Sequence, residues 1–350
     1  MERQIIEKVL AAAVQAPSGD NVQPWRLEAS ADWSRINLFN LPERDDSYYN
    51  YQQAAAYIAH GAVIENIAIA SGHLGCEVQL KLFPDPQNPD YVACFDFESA
   101  TAVDDPLYPA IFTRETNRFH FQDEQLSTEA VQKLIDSIKQ VEGVKGYFVH
   151  DAKTIKALAK VLMVNDRLVF ERKDIHGFLF DKIRWNQKQL EETQDGMPVG
   201  TLGLNPIEKL FFPLMRFWWF VGLANYLGLS RVIGAKCWYN CQNSAVMGQI
   251  TVKNPDSVGF IQAGRSLQRV WLETARQGLA FQPIVGLPLL IYRAKANALE
   301  AFSEAHRQLI AQTEKSLFDV YGIDQSETLA VGFRIGKCQP LTEKTLRKSI

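Results

Sequence analysis

Cysteine is scarce in this chain of 350 residues: there are five, an odd number, with no framework spacing. A disulfide scaffold is therefore excluded, and reduced thiols in a cytoplasmic setting are expected. Cys237 and Cys241 form a Cys-x-x-x-Cys pair without a second pair or a neighbouring histidine cluster, so no metal site is expected. Excess charge of one sign is also missing. With 37 Lys and Arg against 40 Asp and Glu, the net charge is -3, and no global basic field draws in nucleic acid. The nucleophile elbow GxSxG, the phosphate-cradling P-loop and the zinc signature HExxH are all absent. The start, MERQIIEKVLAAAVQ, is charged and helical rather than apolar behind a basic cap, so no signal peptide is expected. Long hydrophobic runs are limited to LFFPLMRFWWFVGLANYLGL, residues 210–229, about the length of a span. Pro213, Arg216 and Asn225 interrupt it, and an arginine at the bilayer centre is costly. No stable span is expected there. A buried helix, a lid over a pocket and peripheral membrane contact remain open.

What is present is an ordinary globular balance, 47% hydrophobic and 22% charged, enough for one large domain or two of usual size. Ile5, Ile6, Val9, Leu10 and Ala13 recur at helical spacing over 3–15. Residues 25–39 alternate loosely and suggest a hairpin. Residues 51–74 form a long helix ending at Gly75, and the strands CEVQLKLF and YVACFDFE follow. Residues 104–127 are a connection carrying RETNRF. STEAVQKLIDSIKQ begins a helix whose capping box is incomplete, because Ala130 stands where an acid belongs. GYFVHD is a strand, 152–193 is mostly helical, TQDGMPVGTLGLNP is a loop, and 206–245 is apolar and mostly helical. Residues 259–278 form another long helix, and ETLAVGFRIG is the last strand before a basic tail.

An internal repeat runs through this pattern. HGAVIENIAIASGHLG (60–75) and AGRSLQRVWLETARQG (263–278) align without gaps. Gly61 falls on Gly264, Ile67 on Val270, Gly75 on Gly278. The early glycines permit close helix contact, and the final ones suit a left-handed cap. Two unrelated amphipathic helices would give some of the same matches.

The stretch APSGDNVQPW, residues 16–25, stops a good helix with a short loop dense in hydrogen-bonding groups. Ser18 offers a hydroxyl. Gly19 lets backbone approach a flat ligand. Asn21 and Gln23 each donate and accept. Such a loop suits the edge of a heteroaromatic ring, and it also suits a plain surface turn.

PSGDNVQPW resembles the PSxxNxQPW signature of the FMN-dependent nitroreductase superfamily. RETNRF, Arg114 to Phe119, resembles that family's R-x-S-x-[RK]-F motif, and GLAFQPIVG, 278–286, sits where the family has its GL…P-x-G-G loop. The order departs from ordinary members, which are homodimers with the arginine motif ahead of the PSxxN loop. Here the loop comes first and the arginine motif lies in the later part, so each half lacks what the other keeps. The arrangement resembles the Acg-like subgroup, in which two family domains are fused into one chain. The resemblance implies an α+β nitroreductase-like fold, internally duplicated, with antiparallel sheets flanked by helices: a pseudo-dimer with one flavin site. Its halves are expected at 1–103 and 104–350, the latter with a lid-like insertion over about 193–229 whose aromatics, Phe211, Phe212, Phe217, Trp218, Trp219 and Phe220, either stack over the flavin or fill the core.

The resemblance also implies residue roles. Arg114 and Thr116 would bind the FMN phosphate, with Lys344 and Arg347 of the tail as further cations; a frayed tail is the alternative. Arg118 would face the ring's N1/C2 side. Ser18, Gly19, Asn21 and Gln23 would approach the ring or ribityl chain from the other half, and Val285 and Gly286 would present backbone N–H groups to N5. No protein acid or base is needed, since the hydride chemistry belongs to the flavin, and His60, His73 and His120 are read as structural. The implied function is an FMN-dependent oxidoreductase with NAD(P)H as donor to a small oxidised substrate. The alternative is a non-catalytic protein that binds or sequesters FMN. A monomeric pseudo-dimer or a further homodimer fits either.

Overall fold

Two helices of twenty residues each run through the centre, and their sequences explain why. The first, Ala54–His73, is apolar except for a few groups such as Glu65 and Asn66 and is buried along nearly its whole length, as a helix without a continuous polar face must be. The second, Ser257–Arg276, keeps one charged edge. The computed structural model describes residues 2–349. Its earlier part runs α1 (Arg3–Ala13), β1 (Trp25–Ala29), β2 (Arg35–Asn40), α2 (Ala54–His73), β3 (Cys76–Leu82), β4 (Tyr91–Ser99) and α3 (Tyr108–Thr113). The later part begins with α4 (Thr128–Lys139), β5 (Val144–Val149), α5 (Ala152–Glu171), α6 (Lys173–Asp181), β6 (Ile183–Arg184), α7 (Gln187–Thr193) and β7 (Met197–Pro198). It continues with α8 (Pro206–Met215), α9 (Trp218–Asn225), α10 (Leu229–Cys241), β8 (Val246–Val252), α11 (Ser257–Arg276), β9 (Ala280–Ile284), α12 (Gly286–Lys295), α13 (Glu304–Tyr321) and β10 (Thr328–Gly336).

Two four-stranded antiparallel sheets result, ordered β1-β2-β4-β3 and β5-β8-β10-β9. The fold is α+β, with antiparallel sheets flanked by helices. In β2, Ile36 and Leu38 face inward at period two and join α1, α2 and α3 in one core. In the second sheet β8 and β10 are buried along their entire length. Strands covered on both faces lose the alternation that marks a half-buried strand, which is why 246–252 does not read as a strand from sequence. Gly248 also interrupts it, since a Cβ there would lie 2.2 Å from the Phe333 ring.

The repeat is realised as a contact. Gly61 of α2 faces Gly264 of α11 so closely that a Cβ on Gly61 would lie 2.0 Å from the Ile261 carbonyl oxygen, and one on Gly264 would lie 1.9 Å from that of Ile58. Polar groups pin the same seam. The buried Glu65 carboxylate accepts from Arg265 Nε at 2.8 Å and Arg269 Nη1 at 2.5 Å, and Gln268 Nε2 donates to Asn66 Oδ1 at 2.7 Å. Ser127 caps α4 by accepting from the Ala130 N–H at 3.2 Å, so the incomplete box still works at its first half.

The run 210–229 is not one helix. It crosses α8, a break at Arg216–Phe217, α9, and a second break at Gly228, whose φ is +88°. The one helix among the described residues that is long and apolar enough to cross a membrane spans Tyr51–His73, and 89% of its apolar window is buried inside the protein.

Candidate functional site

Among the described residues the loop after α1 gathers three non-glycine residues of positive φ within four positions. Asp20, Asn21 and Gln23 all adopt positive φ, at 45°, 58° and 55°. Asn and Asp tolerate that region because their short side chains bond locally, whereas Gln does so rarely. Three such residues in four positions cost several kcal/mol unless the surroundings hold them. Two later segments do so. Asn21 Nδ2 donates to the carbonyl oxygens of Gly196 (3.1 Å) and Leu346 (3.0 Å), and Arg347 Nη1 donates to Asn21 Oδ1 at 2.8 Å. Gln23 Nε2 donates to the Gln194 carbonyl at 2.8 Å, and its Oε1 accepts from the Lys348 N–H at 2.8 Å.

The C-terminal tail is therefore anchored. Lys348 Nζ also pairs with Asp195 at 3.1 Å, the Leu341 N–H donates to the Glu115 carboxylate at 2.9 Å, and the Gly200 N–H donates to Glu343 at 3.1 Å.

Behind these contacts lies a cavity of about 690 Å³, within the size range of cofactor pockets. Ser18, Gly19, Asn21, Arg114, Thr116 and Arg118 line it, as do Val285, Gly286, Lys344 and Arg347. Residues distant in sequence thus share one space. Gln23 does not reach the wall: both ends of its amide are used to hold the tail and the 194–196 turn, so it is a strut for the loop.

RETNRF lies alongside β9, where Thr116 makes a parallel bridge to Phe281 and the Asn117 N–H donates to the Phe281 carbonyl at 2.8 Å. Arg114 is half-buried, stacks over Trp271 at 4.5 Å, and donates through Nη2 to the Gln15 carbonyl. Its Nε has no partner, and neither has the buried Nε of Arg347. Burial first, and then the charge of Arg347, holds the Arg114 guanidinium well below its usual range, while burial brings Arg347 down to about 10. Among the described residues no carboxylate pairs with Arg114, Arg118 or Arg347, although ion pairs are frequent elsewhere. Two neighbouring buried cations without a counter-ion disfavour the empty fold, because uncompensated buried charge costs several kcal/mol.

Arg118 donates weakly to the Thr201 carbonyl and to Met197 Sδ, both at 3.3 Å. The 197–203 turn folds over it, and Gly203 at φ +69° sits so close that a Cβ would lie 2.6 Å from the Arg118 carbonyl oxygen. Burial pulls this guanidinium down, opposed by Asp20 and Asp166. Those two carboxylates, together with Asn165 and Tyr49, line the cavity and were not singled out from sequence. The signal was there for one pair: Asn165 and Asp166 interrupt VLMVNDRLVF, a stretch apolar on either side. Gly286 has Asn165 Oδ1 2.4 Å from where its Cβ would be, so a larger residue at the start of α12 would have to displace the Asn165 side chain.

Burial raises the Asp20 carboxyl to about 6, with Arg118 pulling the other way. A raised acid pKa means that the folded state holds the proton longer than the unfolded chain. Its favourable contribution is thus complete below the unfolded value near 4 and disappears as pH climbs toward 6. Asp20→Asn keeps the left-handed backbone and removes the cost. Urea unfolding at pH 7 is expected to show a gain of about 1–3 kcal/mol, reduced from the full shift because the cavity side is wet, and to show little change at about pH 4.

The aromatic lid is only partly as expected. Phe212 lines the cavity with Met215, Leu229 and Ile233. Phe211, Phe217 and Trp219 point away into solvent, and Trp218 packs edge-on against His176 at 5.3 Å. His60 is buried and accordingly pushed down to about 4, so it is neutral and bonds the Pro24 carbonyl at 3.0 Å. His73 stacks on Tyr108, and His120 on Tyr239.

The chain is similar to nitroreductase-type proteins. It is 29% identical over 122 residues, 34% of this chain and 36% of the relative, to the Mycobacterium tuberculosis protein named "Putative NAD(P)H nitroreductase acg". A longer match, 25% identical over 303 residues, covers 85% of this chain and 41% of the uncharacterized protein MT1398 of the same organism. The chain thus spans about two fifths or less of the relatives it matches. Among solved structures, a nitroreductase with bound FMN from Bacteroides fragilis overlaps 69% of this chain and 95% of its own, at 9% identity and a TM-score of 0.39. An FMN-dependent nitroreductase from Clostridium difficile gives 13% identity and a TM-score of 0.38 over 71% and 97%. No protein-family model matches the sequence.

Proposed function

We propose that this chain is an FMN-dependent oxidoreductase of nitroreductase type, composed of two fused halves with one flavin site between them. The observation that carries the reading is the pair of guanidinium groups, Arg114 and Arg347, on a cavity they share with the 17–21 loop; each has a buried Nε without a partner and, among the described residues, no ion-pair partner. A phosphate dianion supplies the counter-charge they lack, and guanidinium forks suit it. Lys344 and the Thr116 hydroxyl lie on the same wall and complete the anion site.

Arg118 is the residue for the ring edge that becomes negative on reduction, because it is a cation lining the cavity with no ion-pair partner among the described residues. Ser18, Gly19 and Asn21 line the same cavity, with Asn21 hydrogen-bonded to Arg347, and would meet the ribityl chain or ring from the 17–21 loop. Val285 and Gly286 open α12, where free backbone N–H groups gather. FMN, when bound, supplies hydride acceptance and donation. The protein binds and orients it, and α8 and α10 keep water from one side. NAD(P)H is the proposed donor, in keeping with the name of the acg relative, and the acceptor is a small oxidised molecule.

Covering by Phe212, Met215 and Ile233 also favours a second reading, in which the chain holds FMN without turnover. Purified protein is expected to carry flavin absorbance or to take up FMN. Rapid mixing with NADPH and with NADH is expected to bleach it. Bound flavin that stays oxidised with both donors establishes the storage reading, and no binding at saturating FMN overturns both.

A further inference from the structure

The three helices that cover the cavity are inverted on their outer side. In α8 the residues at one-face spacing, Ile207, Leu210, Phe211 and Leu214, are all exposed, while Phe212 points inward. In α9 and the turn after it the same holds for Trp219, Leu223, Tyr226 and Leu227, with Val221 inside; Tyr226 and Leu227 are each 90% exposed. Val232 and Tyr239 extend the pattern along α10. Scattered exposed leucines need no explanation, but three successive helices with outward apolar faces do.

Charge around this face has one sign. Residues 206–241 contain Lys209, Arg216, Arg231 and Lys236 but a single acid, Glu208, and Lys236 neutralises it at 2.6 Å. Among the described residues Lys209, Arg216 and Arg231 make no ion pair and are exposed. This local excess stands out in a chain of net charge -3. A second copy of the chain docking about a twofold axis would bring these cations near their own equivalents, with no acid but the already paired Glu208 supplied by residues 206–241. Aromatic and aliphatic side chains rimmed by free cations complement an anionic lipid surface, where Trp and Tyr occupy the headgroup level. Val232 is both exposed at 65% and part of the cavity lining, so the cavity reaches the same face.

We propose that α8, α9 and α10 form a docking surface for anionic bilayers. The inference stands on the outer faces of these helices and is independent of what fills the cavity.

Co-sedimentation of the full chain with phosphatidylcholine vesicles, with and without about one third phosphatidylglycerol, tests it. Binding to the anionic vesicles is expected, falling as salt rises. Lys209→Gln and Arg231→Gln are expected to lower the partition coefficient by about fivefold each. Leu223→Glu with Leu227→Glu is expected to abolish binding, with thermal unfolding unchanged because both side chains are in solvent. Absence of wild-type binding to anionic vesicles overturns the proposal. So does a partition that ignores all four substitutions, or light scattering that shows a dimer dispersed by Leu223→Glu with Leu227→Glu.

Discussion

Arg114→Ala is expected to weaken FMN binding by about 2–5 kcal/mol while leaving the ligand-free protein as stable as before, or more so. The two effects have opposite signs for one reason. In the empty protein the guanidinium is a cation beside a second one, with an orphaned buried Nε and, among the described residues, no ion-pair partner. Its hydrogen bond to the Gln15 carbonyl and its stacking on Trp271 recover part of that cost, worth roughly 1–2 kcal/mol together. Truncation removes both the cost and the recovery. With a dianion in place the same group is compensated, and its loss leaves phosphate charge unpaired. Flavin fluorescence titration reads the affinity, and a fall of some thirtyfold to several thousandfold corresponds to that range. Arg114→Lys is expected to fall between, because an ammonium keeps the charge and loses the fork. The ligand-induced rise in melting temperature should shrink in the same order. Unchanged FMN affinity in both Arg114→Ala and Arg347→Ala removes the anion site from this cavity.

Much of this was legible because the relevant residues break local rules in short stretches. A helix that stops at 16–25 with Ser, Gly, Asn and Gln announces a loop with work for its polar groups, and RETNRF sets two arginines four residues apart in a polar connection. What failed did so for reasons of burial and distance. Gln23 reads as a ring contact from its chemistry, yet its amide is spent on Gln194 and Lys348, segments no local pattern connects to it. β8 was invisible because both its faces are covered. The aromatics of 210–220 read as lid or core, since hydrophobic content alone does not say which face of a helix turns outward; only the packing of Phe212 against the cavity separates it from its neighbour Phe211. Asp20 lies inside the 16–25 loop without any local signal, since its pKa is set by burial and, in opposition, by Arg118 almost a hundred positions later.

The repeat makes the strongest structural prediction. Alanine for glycine inside a helix ordinarily stabilises, by up to about 1 kcal/mol. At Gly61 the sign is expected to reverse. Its Cβ would stand 2.0 Å from the Ile261 carbonyl oxygen and 2.8 Å from the Arg265 nitrogen, both backbone atoms of α11 that cannot swing aside. Gly264 is in the same position against the Ile58 carbonyl at 1.9 Å. The helices must move apart to admit either methyl, which also strains the Glu65 bridge to Arg265 and Arg269. Overpacking of a well-filled core costs about 1–3 kcal/mol where side chains can adjust. Here backbone meets backbone, so Gly61→Ala and Gly264→Ala are each expected to lose more than about 3 kcal/mol in urea unfolding. Gly72→Ala in the same helix as Gly61 is the control. Nothing lies within 4 Å of its Cβ position, so it should gain the ordinary few tenths to about 1 kcal/mol. The double variant at Gly61 and Gly264 should lose less than the sum of the two, because helices parted by the first methyl already accommodate part of the second. The same separation shifts Trp271, which lies about two turns beyond Gly264 on α11 and stacks against Arg114. A surviving Gly264→Ala protein is therefore expected to bind FMN less tightly as well.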